Sequence, residues 1–317
     1  MLKPWVKDEF PGFSLHSSET FIIPGKGLIQ DYSRALYWLE KSAERDEVKA
    51  QRFLGAIYST GKGIPKNEKK AFYWYQRAAE QGDTEAQFML AEMLYDGRGT
   101  AQDYKKALYW FEKLANQESY ASAFFQYFVG LMFYEGKGTP QDYNKAFYWI
   151  EKAAEQGASG AQMMLSNMYE KGQGTSVNLQ KALYWLTKAA DQGEAESQLA
   201  VGRIYFEGEW TAHDYNQAYY WLNRAAKQGN SAAQSLLGLL CRDGVGTPRD
   251  YIQAYMWFNL SASEDGPGDE VVRNFRDELA KQMTMEQLDE AQRRTREWKA
   301  VPERVPASAI PNKEPKR

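Results

Sequence analysis

Lys70–Ala107, KAFYWYQRAAEQGDTEAQFMLAEMLYDGRGTAQDYKKA, decides the fold, because most of its columns recur along the chain. Its tryptophan, Trp74, is one of seven at fixed spacing: Trp38, Trp74, Trp110, Trp149, Trp185, Trp221 and Trp257, at intervals of 36, 36, 39, 36, 36 and 36. A period in this range signals stacked repeats, each a small supersecondary unit that cannot bury its apolar face alone. The interval of 39 comes from three extra residues near Glu118–Phe125.

Each unit reads as two short helices. Seven residues before each tryptophan stands an N-cap residue able to bond the free amides of a first turn: Asp31, Asn67, Asp103, Asp142, Asn178, Asp214 or Asp250. Alanine sits three before and five after each tryptophan, and Gln-Gly closes most first helices (Gly82, Gly157, Gly193, Gly229). The second helix carries a small residue (Gly55, Ala91, Gly130, Ser166, Gly202, Gly238), which permits close helix approach. It ends in a Gly-x-Gly turn at 61/63, 97/99, 136/138, 172/174 and 244/246, whereas Trp210 replaces the second glycine after Gly208 and leaves that turn's shape open. Nothing alternates with period two, so no sheet is expected.

These columns, AxxW…KAAxQGxxxAQxxLxxxYxxGxGxxxDYxxA, resemble the Sel1-like repeat, a relative of the tetratricopeptide repeat. The resemblance spans about residues 25–263. It implies an all-α, right-handed superhelical α-solenoid of about seven helix-turn-helix units, and a protein that binds other proteins, in bacterial signalling, envelope and host-interaction roles. One branch of the family staples each repeat with cysteine pairs; the lone Cys241 departs from that branch, which is also the one linked to hydrolysis. Residues 1–24 read as an irregular N-terminal segment. Residues 264–300 read as a pair of capping helices, the second opened by the capping box Thr284–Gln287. Residues 301–317, Pro-rich and charged, read as a disordered tail.

Composition removes several functional classes. With 39 Lys+Arg against 42 Asp+Glu the net charge is -3, which gives no nucleic-acid footprint. A single cysteine and two histidines, His16 and His213, supply no metal-ligand set, and no cofactor motif is present. The glycine turns do not continue into GxGxxG or GKS/GKT, and GxSxG, HExxH and CxxC are absent, so no catalytic, cofactor-binding or metal residue is assigned. No apolar run is long enough to span a membrane. No secretory signal is legible in the first thirty residues, so the cytoplasm is the expected compartment; a mature form lacking its leader would place the chain in the periplasm.

One column escapes the core. With the tryptophan at zero and about 100° per residue, the preceding position falls outside the apolar arc. It holds Tyr37, Tyr73, Tyr109, Tyr148, Tyr184 and Tyr220. Its wheel neighbours are basic: Arg34, Lys70, Lys106, Lys145 and Lys181 on one side, Lys41, Arg77, Lys113, Lys152, Lys188 and Arg224 on the other. Tyrosine beside Arg and Lys is the composition of a recognition surface for an acidic or extended protein segment. The alternative is that each tyrosine stacks on the next repeat while the basic residues solvate the face or pair with Glu40, Glu112 and Glu151. The expected function is a non-catalytic protein-interaction scaffold or adaptor. An inhibitor or immunity-type protein that neutralises a secreted toxin or enzyme is the alternative, and a hydrolase ranks third.

Overall fold

The structure is a computed structural model and describes residues 32–61, 63–117, 122–262 and 269–303. Among them are fifteen helices and no strand, so the fold is all-α. Six pairs follow one another as helix A and helix B: α1 (Tyr32–Glu44) and α2 (Val48–Thr60), α3 (Glu68–Glu80) and α4 (Thr84–Asp96), α5 (Tyr104–Ala115) and α6 (Ser122–Glu135), α7 (Tyr143–Glu155) and α8 (Ser159–Lys171), α9 (Leu179–Asp191) and α10 (Ala195–Glu207), α11 (Tyr215–Lys227) and α12 (Ser231–Asp243). A last helix A, α13 (Tyr251–Ser261), precedes α14 (Asp269–Ala280) and α15 (Met285–Glu297). The chain divides into two compact units, 1–161 and 162–317. In the first, α2 to α7 each pack on the helix before; in the second, α10 to α13 do the same and α13 carries both α14 and α15. The expected segment 1–24, the cap Asp31, the insertion at 118–121, the break at 263–268 and the tail from 304 lie outside the described residues.

Local chemistry sets the helix ends. Asn67, Asp103, Asp142, Asn178, Asp214 and Asp250 each accept a bond from a first-turn amide, which satisfies an otherwise orphaned donor. The Gly208–Trp210 turn also closes: Gly208 caps α10 at φ 69° and the Asp214 amide donates to Tyr205 O at 3.0 Å. Trp210 takes no left-handed conformation and folds back against Leu186, Val201, Ile204 and Trp221. His213 Nδ1 lies 2.8 Å from Phe206 O, the place that Gln102 and Gln141 serve in earlier repeats by donating to Tyr95 O and Tyr134 O. It is a turn residue. Cys241 is fully buried in the column that carries Tyr58, Tyr169 and Tyr205, and burial pushes its thiol up to about 12.

Packing follows the small-residue column. The residue after each tryptophan is buried in Tyr75, Phe111, Ile150, Leu186, Leu222 and Phe258, and Tyr75, Ile150, Leu222 and Phe258 each meet the glycine of the preceding helix B. A Cβ on Gly55 would stand 2.6 Å from the Tyr75 ring, one on Gly202 2.7 Å from Leu222 Cγ, and one on Gly238 2.6 Å from the Phe258 ring. The tryptophans wedge beside this contact: Trp74, Trp149, Trp221 and Trp257 are buried, Trp110 and Trp185 partly so, while Trp38 is exposed. The last repeat is covered by Val272, Leu279, Phe275 and Trp298, whose indole meets Trp257 edge-on at 6.3 Å. The capping box of α15 forms as read, with Thr284 and Gln287 bonded reciprocally.

Two stability measurements test this frame. Gly130→Val would press a side chain to within 2.5 Å of Ile150 Cγ1 and 3.2 Å of its backbone nitrogen, and should destabilise by about 1–3 kcal/mol. Adding Ile150→Ala to that variant should cost less than Ile150→Ala costs alone, as read by denaturant midpoints. Glu92 on α4 supplies the second. Burial, reinforced by Asp96 and opposed by Arg98 at 3.5 Å, pushes its carboxyl up to about 7. Below about pH 4.3 both folded and unfolded states hold the proton; above it only the unfolded chain ionises freely. Stability should therefore fall by about 3–4 kcal/mol as pH rises from about 4.3 to 7, then level off. Glu92→Gln should flatten that slope.

Candidate protein-binding face

The tyrosine column sits where the helical wheel placed it, on helix A and outside the core. Tyr37, Tyr73, Tyr109, Tyr148, Tyr184 and Tyr220 are between 50 and 59 % exposed. The ring partner of each is the tryptophan next in sequence, met edge-on at 4.9–5.3 Å with interplanar angles of 72–83°. From Tyr73 onward, edge-to-face contact on a buried or half-buried indole fixes the phenol at low entropic cost and leaves its outer face and hydroxyl to solvent, whereas Tyr37 meets the exposed Trp38. The first unit presents Tyr37, Tyr73, Tyr109 and Tyr148, and the second presents Tyr184 and Tyr220.

The two basic columns part company. The one four residues after each tyrosine joins it: Lys41 over Tyr37 at 6.0 Å, Arg77 over Tyr73 at 5.9 Å, Lys152 over Tyr148 at 4.7 Å, Lys188 over Tyr184 at 5.6 Å and Arg224 over Tyr220 at 5.4 Å. Lys113 instead lies over Trp110 at 5.0 Å. An i, i+4 pair shares a helix face, and the ring quadrupole draws the cation onto it. The other column turns towards helix B. Lys70 sits over the Tyr58 ring at 4.8 Å and bonds its hydroxyl, Lys145 over Phe133 at 5.2 Å, and Lys181 over Tyr169 at 5.2 Å. Lys106 pairs with its own cap, Asp103, at 3.4 Å. Arg34 has no described side chain. Tyr184 and Lys188, with Leu183, Thr187 and Tyr205, line a shallow depression of about 440 Å³.

Beneath this face runs a feature that reading single columns misses. A buried glutamine near the start of each helix B donates to a carbonyl at the end of the helix A before it: Gln51 to Ala43, Gln87 to Ala79, Gln126 to Ala115, Gln198 to Ala190 and Gln234 to Ala226, at 3.0–3.2 Å. A second glutamine, 30 residues on, donates to the first across the repeat boundary: Gln81 to Gln51, Gln117 to Gln87, Gln192 to Gln162 and Gln228 to Gln198, at 2.8–3.1 Å, with Gln156 to Gln126 as the fifth rung. The signal was present as two glutamine columns at constant separation. These amides satisfy helix-end carbonyls that would otherwise be buried without donors. Two of the rungs also touch a carboxylate, Asp46 at Gln51 and Glu303 at Gln198.

No metal-binding group of His, Cys, Asp and Glu occurs among the described residues, and no described helix is long and apolar enough to cross a membrane. Helix pairs recurring at a fixed period define an α-helical repeat protein. The Sel1 repeat pattern matches residues 23–47, 48–83, 84–119, 123–157, 159–194, 195–230 and 231–265, and the chain belongs to the Sel1 repeat family. Proteins of this family are protein-interaction scaffolds and in general non-catalytic. A comparison with curated proteins finds no match. Among solved structures, the chain is similar to a protective antigen of uropathogenic Escherichia coli displaying an SLR fold, with 29% identity over 96% of this chain and 68% of that one and a TM-score of 0.48. It is similar to a Sel1 repeat protein from Oxalobacter formigenes, with 28% identity over 78% and 80% and a TM-score of 0.46. An immunity protein from Pseudomonas aeruginosa shows 20% identity over 74% and 82%, with a TM-score of 0.34.

The glutamine rungs make a measurable claim. Gln126→Leu should cost about 1–3 kcal/mol, since it leaves the Ala115 carbonyl without its buried donor and removes one of the two acceptors of the Gln156 amide. Amide hydrogen exchange should quicken at the end of α5, and unchanged exchange there would count against the rung.

Proposed function

We propose that this chain is a non-catalytic scaffold that binds a partner protein on the face carrying the tyrosine column, through acidic or extended segments of that partner. One observation carries the reading: six tyrosines at the same repeat position are half-exposed, and five of them have a cation over the ring. A residue retained only for core packing has no need of an exposed, oriented phenol. Rigid aromatic area beside charge is what hot spots use. Lys113, Lys152 and Lys188 supply positive charge for partner carboxylates beside Tyr109, Tyr148 and Tyr184.

The test separates binding from folding. A partner captured on the full chain should lose about tenfold or more in affinity with the Tyr109→Ala/Tyr148→Ala double variant, because truncated hot spots cost about 2 kcal/mol or more. The melting temperature should change little, since both rings are already half in water. A lowered melting temperature with partner affinity intact would make the column structural. If the captured partner is a hydrolase or toxin whose activity disappears on mixing, the same face serves an inhibitor, the alternative raised by the sequence.

A further inference from the structure

Two carboxylates, one in each unit, are gripped by the same pair of repeat positions. In the first unit Asp46 accepts from Gln51 Nε2 at 3.2 Å and pairs with the Arg77 guanidinium. In the second, Glu303 accepts from Gln198 Nε2 at 2.7 Å, while Arg224 reaches both its oxygens through Nε at 3.1 and 3.2 Å and adds Nη2 at 2.6 Å. Gln51 and Gln198 belong to one column, and Arg77 and Arg224 follow them by the same number of residues. Both arginines also donate to their own tyrosine, Tyr73 or Tyr220, at 3.3 Å.

What differs is the source of the carboxylate. Asp46 stands in the turn after α1, where later repeats have Gly82, Gly157, Gly193 and Gly229. At φ 63° it is the one non-glycine residue with positive φ among the described residues. Glu303 arrives from the other end of the chain. Its Cβ lies 3.6 Å from the place a Cβ on Gly193 would occupy, and Ala300 Cβ lies 3.5 Å from the place one on Gly229 would occupy. A short segment therefore crosses successive repeats with one residue at each glycine, three residues apart. At about 3.3 Å per extended residue that spans about 10 Å, the spacing of packed helices. Its backbone is anchored too: Val301 N–H donates to Lys227 O at 2.9 Å, and Glu303 N–H to Gln228 Oε1 at 3.4 Å. Burial disfavours ionised Glu303, but the bonds from Arg224 and Gln198 outweigh it and hold the carboxyl below the usual range. The stretch expected to be a disordered tail thus begins with three seated residues, because these rungs offer donors that only a carboxylate uses fully.

In the first unit the equivalent position between α3 and α4 has the donors and lacks the carboxylate. Gly82 turns at φ 95°, and nothing lies within 4 Å of where its Cβ would be. Gln87 is 1% exposed, gives one Nε2 hydrogen to Ala79 O and accepts from Gln117. Its second Nε2 hydrogen, the one that Gln51 and Gln198 direct to a carboxylate, has no partner among the described residues. Lys113 stands in the column of Arg77 and Arg224, and no carboxylate among the described residues pairs with it.

We propose that the position beside Gly82 is a seat for a glutamate of an extended acidic segment of the partner protein, with Gln87 and Lys113 as its donors and Val301–Glu303 as the template for how the segment lies. This rests on the protein-binding reading and names the chemistry of what is bound.

The probe is a labelled peptide, WKAVPERV, copying Trp298–Val305 and titrated into the full chain by fluorescence anisotropy. Binding is expected to weaken about tenfold with Lys113→Glu, with Gly82→Asp, which installs in the second turn the carboxylate that Asp46 supplies in the first, and with Glu303→Gln in the peptide. Circular dichroism melts check folding; should Gly82→Asp fail to fold, Lys113→Glu carries the test. Equal affinity for the parent chain and both variants, or no binding at all, overturns the proposal. So does sedimentation showing a dimer abolished by Glu303→Gln in the chain, because the occupant would then be a second copy's own end. If partner capture still depends on Tyr109 and Tyr148 while the peptide ignores Lys113, the glutamate seat alone fails and the wider reading stands.

Discussion

The fold depends on one contact that recurs at four repeat boundaries among the described residues: a full-sized side chain on helix A driven against a glycine on the helix B before it. Tyr75 on Gly55, Ile150 on Gly130, Leu222 on Gly202 and Phe258 on Gly238 bring two helix axes close enough for flanking alanines to touch and for tryptophan to close the gap at the side. Such packing leaves no slack for a methyl group, so it sets the angle as well as the distance between helices. The exposed face inherits its order from that contact. A tyrosine one residue before an inward tryptophan is carried outward, and a cation four residues further on shares its face.

Hydrogen bonding adds a second tie of a different kind. Apolar contacts are non-directional, whereas an amide pair such as Gln81–Gln51 requires a defined donor–acceptor distance and angle. The glutamine rungs thus fix repeat register and satisfy the carbonyls exposed by the tight glycine turns. They also place an N–H at the mouth of each turn. The same amides that hold the stack are the ones that greet a carboxylate, which links stability and recognition through single residues.

The period, the caps, the glycine turns and the outward direction of the tyrosine column were legible because each depends on residues close together in sequence. Helix geometry alone carries Tyr109 away from the core once Trp110 is turned inward. Partners separated by a repeat were not legible from one column at a time. Lys70 and Arg77 look alike on a helical wheel, yet one is drawn to Tyr58 on the helix before and the other to Tyr73 on its own. Glu303 was beyond any local reading, since its partners Gln198 and Arg224 lie 105 and 79 residues away. The aspartate at 46 reads as a lapse from the glycine consensus until its guanidinium partner is seen.

The seated chain end has a consequence for competition. A carboxylate tethered to the same polypeptide faces Arg224 at an effective concentration of order millimolar, set by the connecting chain and not by the solution. Any outside segment arriving at Gly193 contends with that resident, while one arriving at Gly82 meets no rival among the described residues. Two sites built from the same donor types therefore present different thresholds to one ligand. Selectivity along the array then comes from which turns are already taken, with no change in the chemistry of the donors.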